Sequence, residues 1–175
     1  MLRGINVGGQ KKIAMEELGR LYKTLKFDRV ESYVQSGNVV FDGAEQEPST
    51  LAGRIEDRIE KNYGYRVPVF IRRTDEFERI LDGNPYLMKR NADPSKIHVT
   101  FLYDIPSKLR LEDFHLTGVD GDEFSVQGRE IYLYCPNGYG RTRLTNVIFE
   151  KKLDMPATTR NWNTVNALYR IAKSR

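Results

Sequence analysis

Met15, Leu18, Leu21, Tyr22 and Leu25 recur at intervals of three and four, the spacing that gathers apolar side chains on one helix face. Before them, residues 2–5 read as the end of a strand and residues 4–9 as a glycine-rich turn. After them, residues 30–35 and 38–41 are β-prone runs around Ser36-Gly37, a hairpin pattern. Leu51, Ile55, Ile59 and Tyr63 form the next helical stripe, with Ser49 or Thr50 as N-cap and Gly64 as its stop. Residues 67–72 predict another strand. The order is β-α-β-β-α-β, a split βαβ or ferredoxin-like unit.

Residues 74–81 predict a short helix, broken by Gly83-Asn84-Pro85, and 91–95 a loop. The order then repeats. A strand over 97–103 alternates Ile97, Val99 and Phe101, and a helix is expected over 107–114. Residues 123–127 and 130–134 form a hairpin around Gly128-Arg129. Leu144, Val147, Ile148 and Leu153 make a helical stripe. A short strand follows at 157–160, then a last helix carrying Trp162, Val165, Leu168, Tyr169 and Ala172. The two hairpins even share a fragment, Val-Gln at 34–35 and at 126–127. The expected fold is α+β: two ferredoxin-like subdomains in tandem, over 1–82 and 97–175, joined by a linker at 83–96, with an added C-terminal helix.

A chain of 175 residues buries a core without staples. The single Cys135 excludes an internal disulfide and a cysteine-based zinc site, and it predicts a reducing, cytoplasmic setting. No apolar run nears the roughly 20 residues that span a bilayer, so no membrane partner is expected. The net charge of +4 suits nucleic acid or small anions but falls far short of a basic arm.

Chemistry concentrates in four short stretches. Arg3-Gly4-Ile5-Asn6-Val7-Gly8-Gly9, with Lys11 and Lys12 beyond, could point backbone amides at an anion. It is neither a P-loop nor a dinucleotide fingerprint, and a tight turn with positive φ explains it equally. Gln35-Ser36-Gly37-Asn38 is a hairpin turn flanked by amides able to read hydrogen-bonding edges. Gly138-Tyr139-Gly140-Arg141-Thr142-Arg143-Leu144-Thr145-Asn146 leads into a predicted helix. There Arg141 and Thr145 are four apart and Arg143 and Asn146 three apart, away from the apolar stripe. Two guanidiniums near a helix start oppose its dipole and so suggest a bound anion or an acidic partner, unless Glu150 or Asp154 neutralises them. In the fourth stretch, Thr158–Thr164, Asn161 is a natural N-cap and Trp162 belongs to the core, which leaves Arg160 and Asn163 as candidates.

These four stretches, with Leu2-Arg3 and Val39-Val40-Phe41 extending two of them, resemble the signatures of domain-of-unknown-function family 1697, in order and from the first residue to the last helix. The resemblance implies a bacterial-type soluble protein of two ferredoxin-like halves. It implies no activity.

Elsewhere the residues are weaker candidates. His98 should face away from Ile97 and Val99, satisfied or solvated, and His115 has no partner pattern. No metal or cofactor is expected. Glu16, Glu17 and Asp42 suggest no acid–base pair. Tyr132 and Tyr134 could stack on bases from an open sheet, but the RNA-recognition signature is absent, and cover by the other half of the protein suits them better. The favoured function is a binding module for an anionic ligand, either a nucleotide, a phosphorylated metabolite or single-stranded nucleic acid, in a cleft between the halves. The alternatives are an enzyme using the same cleft with His98 moving a proton, or a structural protein whose glycines and asparagines merely build turns.

Overall fold

The computed structural model of the chain describes residues 1–43, 46–90, 92–112 and 121–175. Its class is α+β, with antiparallel strands in separate sheets and helices between them. The chain divides into two compact units, residues 1–74 with 170–175, and residues 75–169. Sequence spacing places the 74–81 helix in the first half and makes 83–96 a linker. Both fall in the second unit because their aromatic rings pack on its sheet. Phe77 lies 6.0 Å from Phe101 and Tyr86 lies 5.8 Å from Tyr134, between ring centroids.

In the first unit, α1 (Met15–Thr24) buries Met15, Leu18, Leu21 and Tyr22, the face its spacing predicts. β1 (Asp28–Tyr33) and β2 (Asn38–Asp42) pair as the expected hairpin, with Tyr33 opposite Asn38. α2 (Pro48–Tyr63) starts ahead of Ser49 and Thr50, with Glu47 in the cap position, because a proline suits the first helical turn. It ends on Gly64, left-handed as expected.

The N-terminal segment runs beside the hairpin. Leu2 N donates to Gly37 O at 2.9 Å, Arg3 N to Pro68 O at 3.0 Å and Phe70 N to Met1 O at 2.8 Å. The two strands expected at 2–5 and 67–72 reduce to one isolated bridge, Leu2 to Val69. Gly4, at φ 67°, turns the chain out of extended geometry, and Pro68 has no N–H for a ladder. Gly37 is required here. Its φ is +76°, and a Cβ would lie 2.8 Å from Leu2 Cβ and 2.9 Å from Ile5 Cδ1.

The second unit holds α3 (Thr74–Asp82) from Asp75 onward, α4 (Pro85–Arg90), β3 (Ile97–Leu102), α5 (Lys108–Glu112), β4 (Glu123–Gln127), β5 (Glu130–Tyr134), α6 (Asn146–Leu153), β6 (Ala157–Asn161) and most of α7 (Trp162–Lys173). The expected helix over 107–114 is seen as α5. Residues 113 and 114, His115 and Asn91 lie outside the described residues. The sheet order is β4-β5-β3-β6, every pair antiparallel.

Strand alternation sends Val99 and Phe101 to one face and His98, Thr100 and Leu102 to the other. α3 and α4 cover the first face, where Tyr132 Oη donates to Ile80 O at 3.1 Å. Tyr132 and Tyr134 are therefore covered, by helices that fall in their own unit although the sequence counts one of them, α3, with the N-terminal half. Leu144, Phe149 and Leu153 cover the second face, packing with Leu102, Ile131, Leu133 and Ala157. All of β3 is buried. The 144–153 stripe was read out of phase: Leu144 precedes the helix, Phe149 is its buried anchor, and Val147 is 65% exposed. No helix among the described residues is long and apolar enough to cross a membrane.

Candidate functional site

The segment from Gly138 to Asn146 is irregular, yet its backbone is tied down at several points. Gly138 adopts φ 91° and accepts from Arg141 N at 3.1 Å, which sets a 3-10 turn over Tyr139–Arg141. The Tyr139 ring then stacks on His98, with centroids 4.7 Å apart. Thr142 Oγ1 accepts from Leu144 N at 3.0 Å. Asn146 Oδ1 accepts from Thr159 Oγ1, which in turn lies 2.7 Å from Thr100 Oγ1. The third and fourth stretches thus meet on one face of the second sheet, through Asn146 and Thr159.

Arg141 and Arg143 stand exposed on this fixed loop. They are not in the first turn of a helix, because α6 begins only at Asn146, with Thr145 as its cap residue. The helical pairing of Arg141 with Thr145, and of Arg143 with Asn146, therefore does not arise. Among the described residues neither guanidinium forms a hydrogen bond or an ion pair. The two carboxylates expected to neutralise them are engaged elsewhere. Asp154 pairs with Arg110 at 2.9 Å, and Glu150 Oε1 accepts from Ala157 N at 3.0 Å.

Arg160 is different. It is buried on β6, and its Nη1 donates to Thr158 Oγ1 and to Thr159 O, both at 2.8 Å. Asn163 is exposed in the first turn of α7. Asn161 Oδ1 caps that helix, accepting from Thr164 N at 2.8 Å. Trp162 is buried as core.

His98 is buried rather than solvated. It is 9% exposed, and its Nδ1 forms no hydrogen bond. Burial holds its pKa below the ordinary 6.5, an effect the nearby Lys96 carbonyl only partly offsets. A neutral ring roofed by Tyr139 is poorly placed to move a proton to a substrate. Cys135 is buried too, and burial pushes its thiol up to about 11, so it is inert at neutral pH. No group of His, Cys, Asp and Glu among the described residues could hold a metal ion.

In the first unit the first two stretches also meet, for structural ends. Gly8 and Gly9, at φ 59° and 77°, are the central pair of a tight turn in which Gln10 N donates to Val7 O at 3.1 Å. Positive φ at both positions is the hairpin geometry that glycine suits best. Asn6 pins the turn's base. Its Oδ1 accepts from Ile13 N at 2.9 Å, while its Nδ2 donates to Ile13 O at 2.9 Å and to Gln35 O at 2.8 Å. Asn38 is buried, and its Nδ2 donates to Tyr33 O at 3.2 Å and to Ser36 Oγ at 3.0 Å. Lys11 Nζ donates to Arg66 O at 2.9 Å, and Arg3 N is bonded to Pro68 O. α1 starts at Met15, so no helix N-terminus backs Gly4, Gly8 and Gly9. The Gln35 side chain is exposed at the loop tip.

One basic group escaped the sequence reading. Arg54, Arg58 and Lys61 recur at helical spacing on α2 and line a cavity with Lys26. None of them lies in the four stretches that the sequence singles out.

An α+β chain with these glycine-, asparagine- and arginine-rich segments defines a family without an assigned activity. The family described as "Protein of unknown function (DUF1697)" matches residues 1–132, and the chain belongs to it. Among solved structures, a conserved bacterial protein, SP0830 from Streptococcus pneumoniae, is similar in fold. Its TM-score is 0.70 at 21% identity, over 98% of this chain and 96% of that one. No curated protein sequence matches.

Proposed function

We propose that the protein binds an anionic, phosphate-bearing ligand through Arg141 and Arg143, and that it is built from two ferredoxin-like halves working in the cytoplasm. The ligand class is a nucleotide, a phosphorylated metabolite or single-stranded nucleic acid. One observation carries the reading. Two exposed guanidiniums lack a carboxylate partner among the described residues, on a loop whose backbone is fixed by Tyr139, Thr142 and Asn146. A preset loop lowers the ordering cost of binding, and arginine matches phosphate geometry with its planar fork. The β-α-β-β-α-β order of the second unit, from β3 to β6, supports the two-half reading, as do the first unit's backbone bonds from residues 2–3 to Gly37 on one side and Pro68 on the other. A lone buried cysteine suits a reducing compartment.

Calorimetric titration with inorganic phosphate, a nucleoside triphosphate and a short thymidine oligonucleotide tests the proposal. The full chain should bind at least one of these saturably, and Arg141→Ala with Arg143→Ala should weaken it at least tenfold. Affinity unchanged in the double variant would assign the loop a purely structural role.

A further inference from the structure

We infer, on the reading that Arg141 and Arg143 bind phosphate, that Gly140 is where the ligand meets the backbone of that loop, its phosphate group lying against the bare Cα between Tyr139 and Arg141. The fold itself does not require glycine there. Gly138, two residues earlier, needs its glycine because its φ is 91°. Gly140 lies in the 3-10 turn Tyr139–Arg141 and outside the positive-φ region, in a conformation open to any residue. Apart from its chain neighbours, a Cβ on Gly140 would meet no heavy atom within 4 Å, so crowding does not exclude a side chain either.

Flexibility is no reason for it, because the turn is held on both sides. The Tyr139 ring stacks on His98, Gly138 N donates to Cys135 O at 2.9 Å, Arg141 N to Gly138 O at 3.1 Å and Thr142 N to Tyr139 O at 3.4 Å. A glycine in a fixed turn costs stability, since it gives the unfolded chain freedom that alanine would not. Every other glycine outside the α-helices, among the described residues, has a positive φ or an atom within 4 Å of its missing Cβ. Gly140 has neither, and it stands next in sequence to Arg141, whose guanidinium lacks a carboxylate. Glycine lets a ligand come close to the backbone. A phosphate gripped by the planar forks of Arg141 and Arg143 then passes over the open side of Gly140, where a methyl group would push it away.

Titration of the full chain with sodium tripolyphosphate tests the contact, beside Gly140→Ala, Gly140→Gln and the Arg141→Ala, Arg143→Ala double variant. Both Gly140 variants should melt at or above the temperature of the unaltered chain, since the added side chain meets neither strain nor a clash. Their affinity should nonetheless fall, by about tenfold for alanine and further for glutamine. Unchanged affinity in the Gly140 variants, with the double arginine variant weakened, would overturn the contact and leave the arginine reading standing. Unchanged affinity in the double arginine variant would overturn both. A lowered melting temperature in Gly140→Ala would mean that the fold needs this glycine, and would overturn the contact alone. So would an unaltered chain that does not bind tripolyphosphate saturably.

Discussion

Single residues show most sharply how one composition can serve either structure or ligand. Asn6 and Asn38 look like exposed amides in sequence, yet their hydrogen-bonding atoms close local turns. A polar side chain beside a glycine is ambiguous because the same amide can bond backbone or ligand. Gly37 allows a sharper statement. Gly37→Ala should destabilise the fold by about 3 kcal/mol, since a methyl there overpacks Leu2 and Ile5 in a left-handed backbone. Urea denaturation would measure it, and a loss below half that value would contradict the close approach. His98 sets a pH dependence. Its folded pKa lies below 6.5, so its ring is neutral in native and unfolded chains alike above that pH. As pH falls below 6.5 toward the folded value, the unfolded chain takes up a proton that the native one refuses, and stability drops. His98→Gln should flatten that part of the stability profile. An unchanged profile would place the dependence on other groups.

At the scale of elements, the strongly periodic pieces were legible and the weakly periodic one was not. α1 and α7 show clean helical spacing, and both hairpins turn at a glycine, Gly37 and Gly128. Around α6, apolar residues at 144, 147, 148, 149 and 153 fit more than one helical phase, and only packing against β3 and β5 selects Phe149. Phe149→Ala should cost about 3–5 kcal/mol and Val147→Ala less than about 0.5. The reverse order would restore the phase read from sequence. The glycine turn was ambiguous for a similar reason. Gly8-Gly9 suits either a hairpin turn or an anion nest, and the choice rests on how far downstream the helix begins. Asn161→Ala should cost about 1 kcal/mol through the lost cap on α7, read by thermal melting of the variant.

For the whole molecule, the four stretches meet in two pairs, each within its own unit, through Asn6 with Gln35 and through Asn146 with Thr159. Sequence spacing revealed the stretches but not their pairing. It also missed the basic cavity at α1 and α2, because cations on an exposed helix usually are just solvated. A net charge of +4 says little about where charge acts. What matters is which cations lack carboxylates, and that depends on the neighbours that Asp154 and Glu150 choose instead. The most direct check on the central claim, that Arg141 and Arg143 hold phosphate, is the salt dependence of binding to a labelled thymidine oligonucleotide in the full chain and in the double alanine variant. Each phosphate contact on a single strand contributes about 0.7 to the slope of log affinity against log salt. The account predicts a slope shallower by about 1.4 in the variant, with the fold intact by circular dichroism. Identical slopes in a folded variant would contradict it.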